Sequence, residues 1–147
     1  MADSAPQSMV GALQAAVLQV LLNDTGVKAL VQARSFDEAP SDKDKPTPPF
    51  DYLGPINLQR PPELGSCSGP VRRATFRIFA VSTAFGRPEA WAVIEAIMLA
   101  LDNKEISLTA PYSAIGEVVK MIAAGDVIAP LSPKSTFADF TVTLTIL

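Results

Sequence analysis

The sequence predicts an α+β fold, a mostly antiparallel sheet with two main helices packed on one of its faces. Three stretches predict it. TFADFTVTLTIL at the C-terminus alternates Phe140, Val142, Leu144 and Ile146 with Asp139, Thr141, Thr143 and Thr145, the period of a half-buried strand. RATFRIFAVS at 73–82 sends Phe76, Ile78 and Ala80 to one side and Arg77, Phe79 and Val81 to the other, so this strand is central or covered on both faces. Residues 87–102 place Trp91, Ile94, Ile97, Met98 and Leu101 on one helical stripe. The late strands follow one another without long helices between them, which favours antiparallel pairing. A chain of 147 residues makes a single domain, 1–147.

The remaining elements follow in chain order. Residues 8–22 read as a helix: Ser8 can cap it, and Leu13, Ala16, Val17, Val20 and Leu21 share one face. NDTG at 23–26 breaks it, a short second helix VKALVQ follows, and RSF begins a brief strand. Residues 37–70 hold eight of the thirteen prolines and open on the charge cluster DEAPSDKDK, so they read as a long Pro-rich excursion, either solvated or reaching a neighbouring subunit as an arm. One short strand can interrupt it at FDYLGPINL. In the 87–102 helix Pro88 suits the first position, and Ala92, Ala96 and Ala100 form a second, small-residue face that admits another backbone. KEISLTAP predicts a short edge strand, and EVVKMIAA at 117–124 fits a strand or a short helix.

Composition removes most chemistry. There is no histidine and one cysteine, which excludes Ser-His and Cys-His catalysis, His-containing metal sites, Cys-rich zinc sites and an intramolecular disulfide. GSCSG at 65–69 has the G-x-C-x-G outline of a nucleophile elbow, with Cys67 as the nucleophile. A thiol needs an activating base, and the sequence after it reads as a strand where the elbow needs a helix, so GSCSG is a Gly/Ser turn. Neither G-x-G-x-x-G nor G-x-x-x-x-G-K-[ST] occurs, so no phosphate loop and no cofactor are expected. Asp37 and Glu38, or Asp42 and Asp44, are solvated loop charges. ALQAAVLQVLL is too short for a membrane span and carries Gln14 and Gln19; the region before it, with Asp3 and no Lys or Arg, does not read as a secretory signal. A net charge of −3 offers no basic field for nucleic acid, and a charged fraction of 18% is low for a small domain, which hints at oligomerisation.

The series of elements resembles a known family. ALVQARSFDEAP is similar to a short helix running into a strand and an acidic-Pro turn. PPFDYLG is similar to a Pro-led strand ending in Gly. RATFRIFAVSTAFGRPEAWAVIEAIMLALD is similar to a strand, small turn and long helix, and MIAAGDVIAP with TFADFTVTLTI to a final strand pair. Together, over residues 10–147, they resemble the tail-completion family of long-tailed bacteriophages, with its tail terminators and tail-to-head joining proteins, also found in prophages and gene transfer agents. The resemblance implies a virion structural protein and no enzyme. It implies subunits closing into a ring, commonly six-fold, at the head-proximal end of the tail tube and assembled in the host bacterial cytoplasm. The implied partners are further copies of the chain, the major tail tube protein and the head connector or stopper protein. DNA passes through the ring without sequence-specific binding.

A closed ring needs two different patches of one subunit to meet. The sequence offers Phe50 and Tyr52 on the Pro-rich arm, the strand end bearing Arg72, Arg73 and Arg77, and the edge of the C-terminal strand. Other neck components (head-completion or stopper proteins) are the nearest alternative, and a monomeric ligand-binding module or a hydrolase using Cys67 the alternatives of other classes.

Overall fold

Ser8 starts the first helix, α1 (Met9–Asn23), by accepting a hydrogen bond from the Gly11 N–H at 2.9 Å. Asp24 then serves two helices. Its N–H closes the end of α1 on the Val20 carbonyl, and its carboxylate caps α2 (Thr25–Val31) by accepting from the Val27 N–H at 3.0 Å. The two axes bend by 78° at this residue, so no single described helix is long and apolar enough to cross a membrane. Gln32 and Ala33 take left-handed conformations, φ 53° and 67°, and turn the chain out of α2. The computed structural model describes residues 8–41, 47–61, 69–82, 88–114, 118–127 and 134–146. Cys67 and the rest of GSC lie outside them, as do parts of the Pro-rich segment.

Six strands follow the two helices, with one long helix among them: β1 (Ser35–Phe36), β2 (Phe50–Gln59), β3 (Arg72–Ser82), α3 (Pro88–Leu101), β4 (Tyr112–Ser113), β5 (Lys120–Val127) and β6 (Lys134–Ile146). Their spatial order is β1-β2-β3-β6, and both β5 and β4 lie along the far side of β6. The β1–β2 pair is parallel and every other pair antiparallel. The result is a mixed fold of three helices and a mostly antiparallel sheet.

The alternation in β3 and β6 sorts their side chains as the sequence predicts. Ala74, Phe76, Ile78 and Ala80 on β3, with Ala138, Phe140, Val142 and Leu144 on β6, are buried in one cluster with Leu13, Val17, Val27, Val31, Ile94 and Ile97 of the helices. Phe76 and Phe140, opposite each other in the register, stack at 5.4 Å between centroids. The short α2 is a full core element, since Val27 and Val31 are completely buried. On α3 the expected stripe is inward, while Leu99 is 78% exposed.

One expectation is borne out and three are corrected. The strand expected at FDYLGPINL, within the Pro-rich excursion, is β2, ten residues held between β1 and β3. Pro55 is accommodated because it sits with Gly54 in a register shift between Leu53 and Ile56, where a missing N–H breaks no ladder. KEISLTAP forms no strand: only Lys104 bridges, to Val119, and the short edge strand is Tyr112–Ser113. The outer side of β6 is already taken by β5 over Ser135–Thr141 and by β4 at Thr145 and Ile146. Ile146, expected on the buried side of the last strand, is 47% exposed. The 117–124 ambiguity resolves as strand, beginning at Lys120.

One charge sits badly inside this fold. Asp51 lies on the helix-covered side of β2, opposite Ala80, with no exposed surface. The Ser35 hydroxyl donates to its Oδ2 at 2.9 Å, tying β1 to β2, while Oδ1 has no hydrogen-bond partner among the described residues. Burial pushes its carboxyl from an ordinary 3.8 up to about 7, with the Ser35 hydrogen bond pulling weakly the other way. Between these values the folded chain holds a proton that the unfolded chain has released, so stability falls as pH rises through the window and levels off above it. Asp51→Asn keeps an acceptor for Ser35 and removes the titration. Thermal melts at pH 5 and pH 8 should show the variant gaining roughly 2 kcal/mol on the wild type between the two. A difference that does not change with pH would mean that Asp51 is ionised throughout.

Candidate functional site

The sheet has a second face, turned away from the helix-packed core and flanked by α1 only at its Tyr52 end. It carries the odd-numbered residues of β3 and β6 and their neighbours in register: Tyr52 beside Phe79, Phe79 beside Phe137, Arg77 beside Asp139 and Thr75 beside Thr141. These side chains are half-buried by one another. The Tyr52 ring stacks on Phe79 at 5.1 Å with 26° between planes. The Arg77 guanidinium lies 4.0 Å over the Phe137 ring and 5.9 Å from that of Phe79. It also makes a two-pronged ion pair with Asp139, Nε donating at 2.7 Å and Nη2 at 3.0 Å. That pair holds the guanidinium in its charged form, and partial burial pushes the Tyr52 phenol above its ordinary range. An ion pair this exposed adds at most about 1 kcal/mol of stability. Its larger effect is geometric, clamping a flat cation onto an aromatic surface.

Two glycines make room for the rings. A Cβ at Gly54 would stand 2.6 Å from Phe79 Cε2 and 3.2 Å from the Arg77 carbonyl, and one at Gly125 3.3 Å from the edge of Phe137. Beside Phe79 lies a hollow of about 270 Å³, lined by Pro55, Asn57, Thr75, Phe76, Arg77, Phe79, Ile122 and Asp139. A second, of about 450 Å³, runs from Tyr52 and Phe79 past Gly54 toward Gln14, Asp37 and Glu38. Both are open and shallow, and among the described residues no group of three His, Cys, Asp or Glu could hold a metal ion.

The structure separates the five residues expected at an interface. Arg77 is central to the open face and Tyr52 is part of it. Arg73 shares that side of β3, between Gln59 and Thr143. Arg72 alternates to the other side, and its guanidinium donates to the Gly69 and Val71 carbonyls at 2.7 and 2.8 Å, tying down the start of the strand. Phe50 is 3% exposed: it packs edge-on against Phe36 at 6.1 Å and is a core residue in this subunit. Sequence reasoning missed Phe137, Asp139 and Ile122 as members of the face. Asp139 and Arg77 are 62 residues apart, and only the β3–β6 register makes them neighbours.

Gly54→Ala should destabilise the subunit by about 1–3 kcal/mol, because neither the Phe79 ring nor the Arg77 carbonyl can move away without disturbing β3. Gly125→Ala, which presses only on a ring edge, should cost less. Urea unfolding of the two variants measures the order, and equal costs would show that Phe79 is not locked in place.

Comparison with known proteins gives three findings. The profile of the tail completion protein gp17 family matches residues 15–140, most of the chain. A subunit from the virion of a native gene transfer agent particle has the same fold, with a TM-score of 0.72 at 23% identity over 96% of this chain and 98% of that one. No curated protein sequence matches. The family profile spans well over half of the chain, and the chain belongs to the tail completion protein gp17 family, whose members are structural proteins of phage tails.

Proposed function

We propose that the chain closes into a ring, six-fold by resemblance to its family, at the head-proximal end of the tail tube of a phage or phage-like particle. The ring ends tube growth and offers its other rim to the head connector. DNA passes through its opening without sequence-specific contact. The observation that carries this reading, beside membership of the family, is the division of the sheet into two faces. One is sealed by the helices, whereas Tyr52, Phe79, Arg77 and Phe137 form a half-buried aromatic surface that opens onto shallow hollows. A monomer has little use for such a surface, while a subunit that meets several partners does.

The sheet edge supports the same reading. β5 pairs only with β6 among the described residues, and one of its outer N–H groups, that of Met121, is satisfied by the Asp102 carboxylate at 2.9 Å. The rest of that edge can accept a neighbour's extended segment. Arg73 and Tyr52 belong to the contact in this reading, and Phe50 does not. Assembly takes place in the host bacterial cytoplasm, and the finished ring stays in the virion.

Negative-stain microscopy of the purified chain, alone and mixed with tail tubes, tests the proposal. Rings should form at high concentration or on tube ends, and particles grown without the protein should carry overlong tubes. Tubes of normal length beside unattached filled heads would assign the chain to the head side, as a stopper. A chain that stays monomeric at every concentration, and with tubes present, would sink the ring and favour a monomeric binding module.

A further inference from the structure

The two most exposed large apolar side chains among the described residues lie on opposite sides of the subunit. Leu99 is 78% exposed on the outer ridge of α3, whose inner side (Val93, Ile94, Ile97) packs into the core. Glu95, one turn earlier on the same ridge, is also exposed, with the small Ala92 and Ala96 beside it. Ile122 is 55% exposed and lines the hollow on the open face. It stands there because β5 is bulged: Met121 faces Phe140 and Ala123 faces Asp139, so Ile122 is the extra residue between two consecutive partners. Bulges of this kind re-aim a side chain.

We infer that in the ring the α3 ridge of one copy seats on the sheet face of the next, Leu99 against Ile122 and its hollow, and Glu95 beside Lys120. This rests on the ring reading and gives it a contact. Symmetry is the first argument. A two-fold pairing of sheet faces would cover Ile122 in both copies and leave both Leu99 side chains in water. A head-to-tail contact covers both with one repeated interface, and such contacts generate rings when the rotation closes. Charge is the second. The chain as a whole is acidic, at −3. Yet around Ile122 the described charges are Lys120 and the Arg77–Asp139 pair, a local positive excess, while the exposed charge on the α3 ridge is Glu95. The hollow is shallow and half-lined by apolar groups, and its Arg77 cannot swing aside because Asp139 and Phe137 hold it.

The test is a charge exchange in the full chain. Glu95→Lys and Lys120→Glu alone should each raise the concentration needed for ring formation by roughly tenfold or more. The double variant should return it to within a few-fold of the wild type. Both residues are exposed, so circular dichroism should be unchanged in all three. In a Cys67→Ser background, copies with Leu99→Cys mixed with copies with Ile122→Cys should form a mixed disulfide on oxidation. Wild-type rings with single variants that assemble equally well would overturn the contact and leave the ring reading standing. Single variants that weaken assembly without rescue in the double, or Leu99→Cys copies that cross-link only to themselves, would also overturn it. Wild-type protein that never assembles, even with tubes, would remove the ring and the contact together.

Discussion

All eleven residues of β3 pair with β6, from Arg72 opposite Leu144 to Ser82 opposite Lys134, and the rest of the subunit depends on that register. It joins segments some sixty residues apart in one step, so the order of the other strands is set by which side of this pair remains free. β2 takes the open side of β3; β5 and β4 divide the open side of β6. Because side chains alternate strictly along a strand, the same register decides what the two faces are made of. A slip of β3 by one residue would put Phe76 into water and Arg77 under the helices, a charge buried away from Asp139 at high cost.

The two faces are held by different physics. Under the helices, stability comes from apolar area, with Phe76 stacked on Phe140 at the centre of a cluster that draws on all three helices. On the other side little is sealed, and order comes from mutual contact. Asp139 fixes Arg77, Arg77 lies across Phe137, and Tyr52 stacks on Phe79, whose neighbour Gly54 has no side chain to intrude. Such a surface is rigid before it meets a partner, so association orders few side chains and loses little entropy. Low charge and a single shared core suit a subunit that completes itself by assembly.

Much of the fold was legible in the sequence, because α1, α3, β3 and β6 each carry an unbroken apolar period. So was β2, at FDYLGPINL, although Gly54, Pro55 and the flanking prolines favour loop; its neighbouring strands supply partners on both sides of a bulge. What failed was local in origin. KEISLTAP has strand composition, but only Lys104 pairs, in a single bridge to Val119. At the candidate site the outcome is mixed for the same reason. Arg77 and Tyr52 stand out by type, but Asp139 looks like one more polar residue in an alternating strand until the register brings it to Arg77. Phe50 looked available because nothing in the sequence says that Phe36 will cover it.

The central claim is that the open face is the surface used in assembly. Hydroxyl-radical footprinting, read by mass spectrometry on free subunits and on intact tails, tests it most directly. Oxidation of Tyr52, Phe79, Ile122 and Phe137 should fall several-fold in the tail, while Phe76 and Phe140 stay protected in both states. Equal oxidation of the four open-face residues in the free and assembled protein would contradict it.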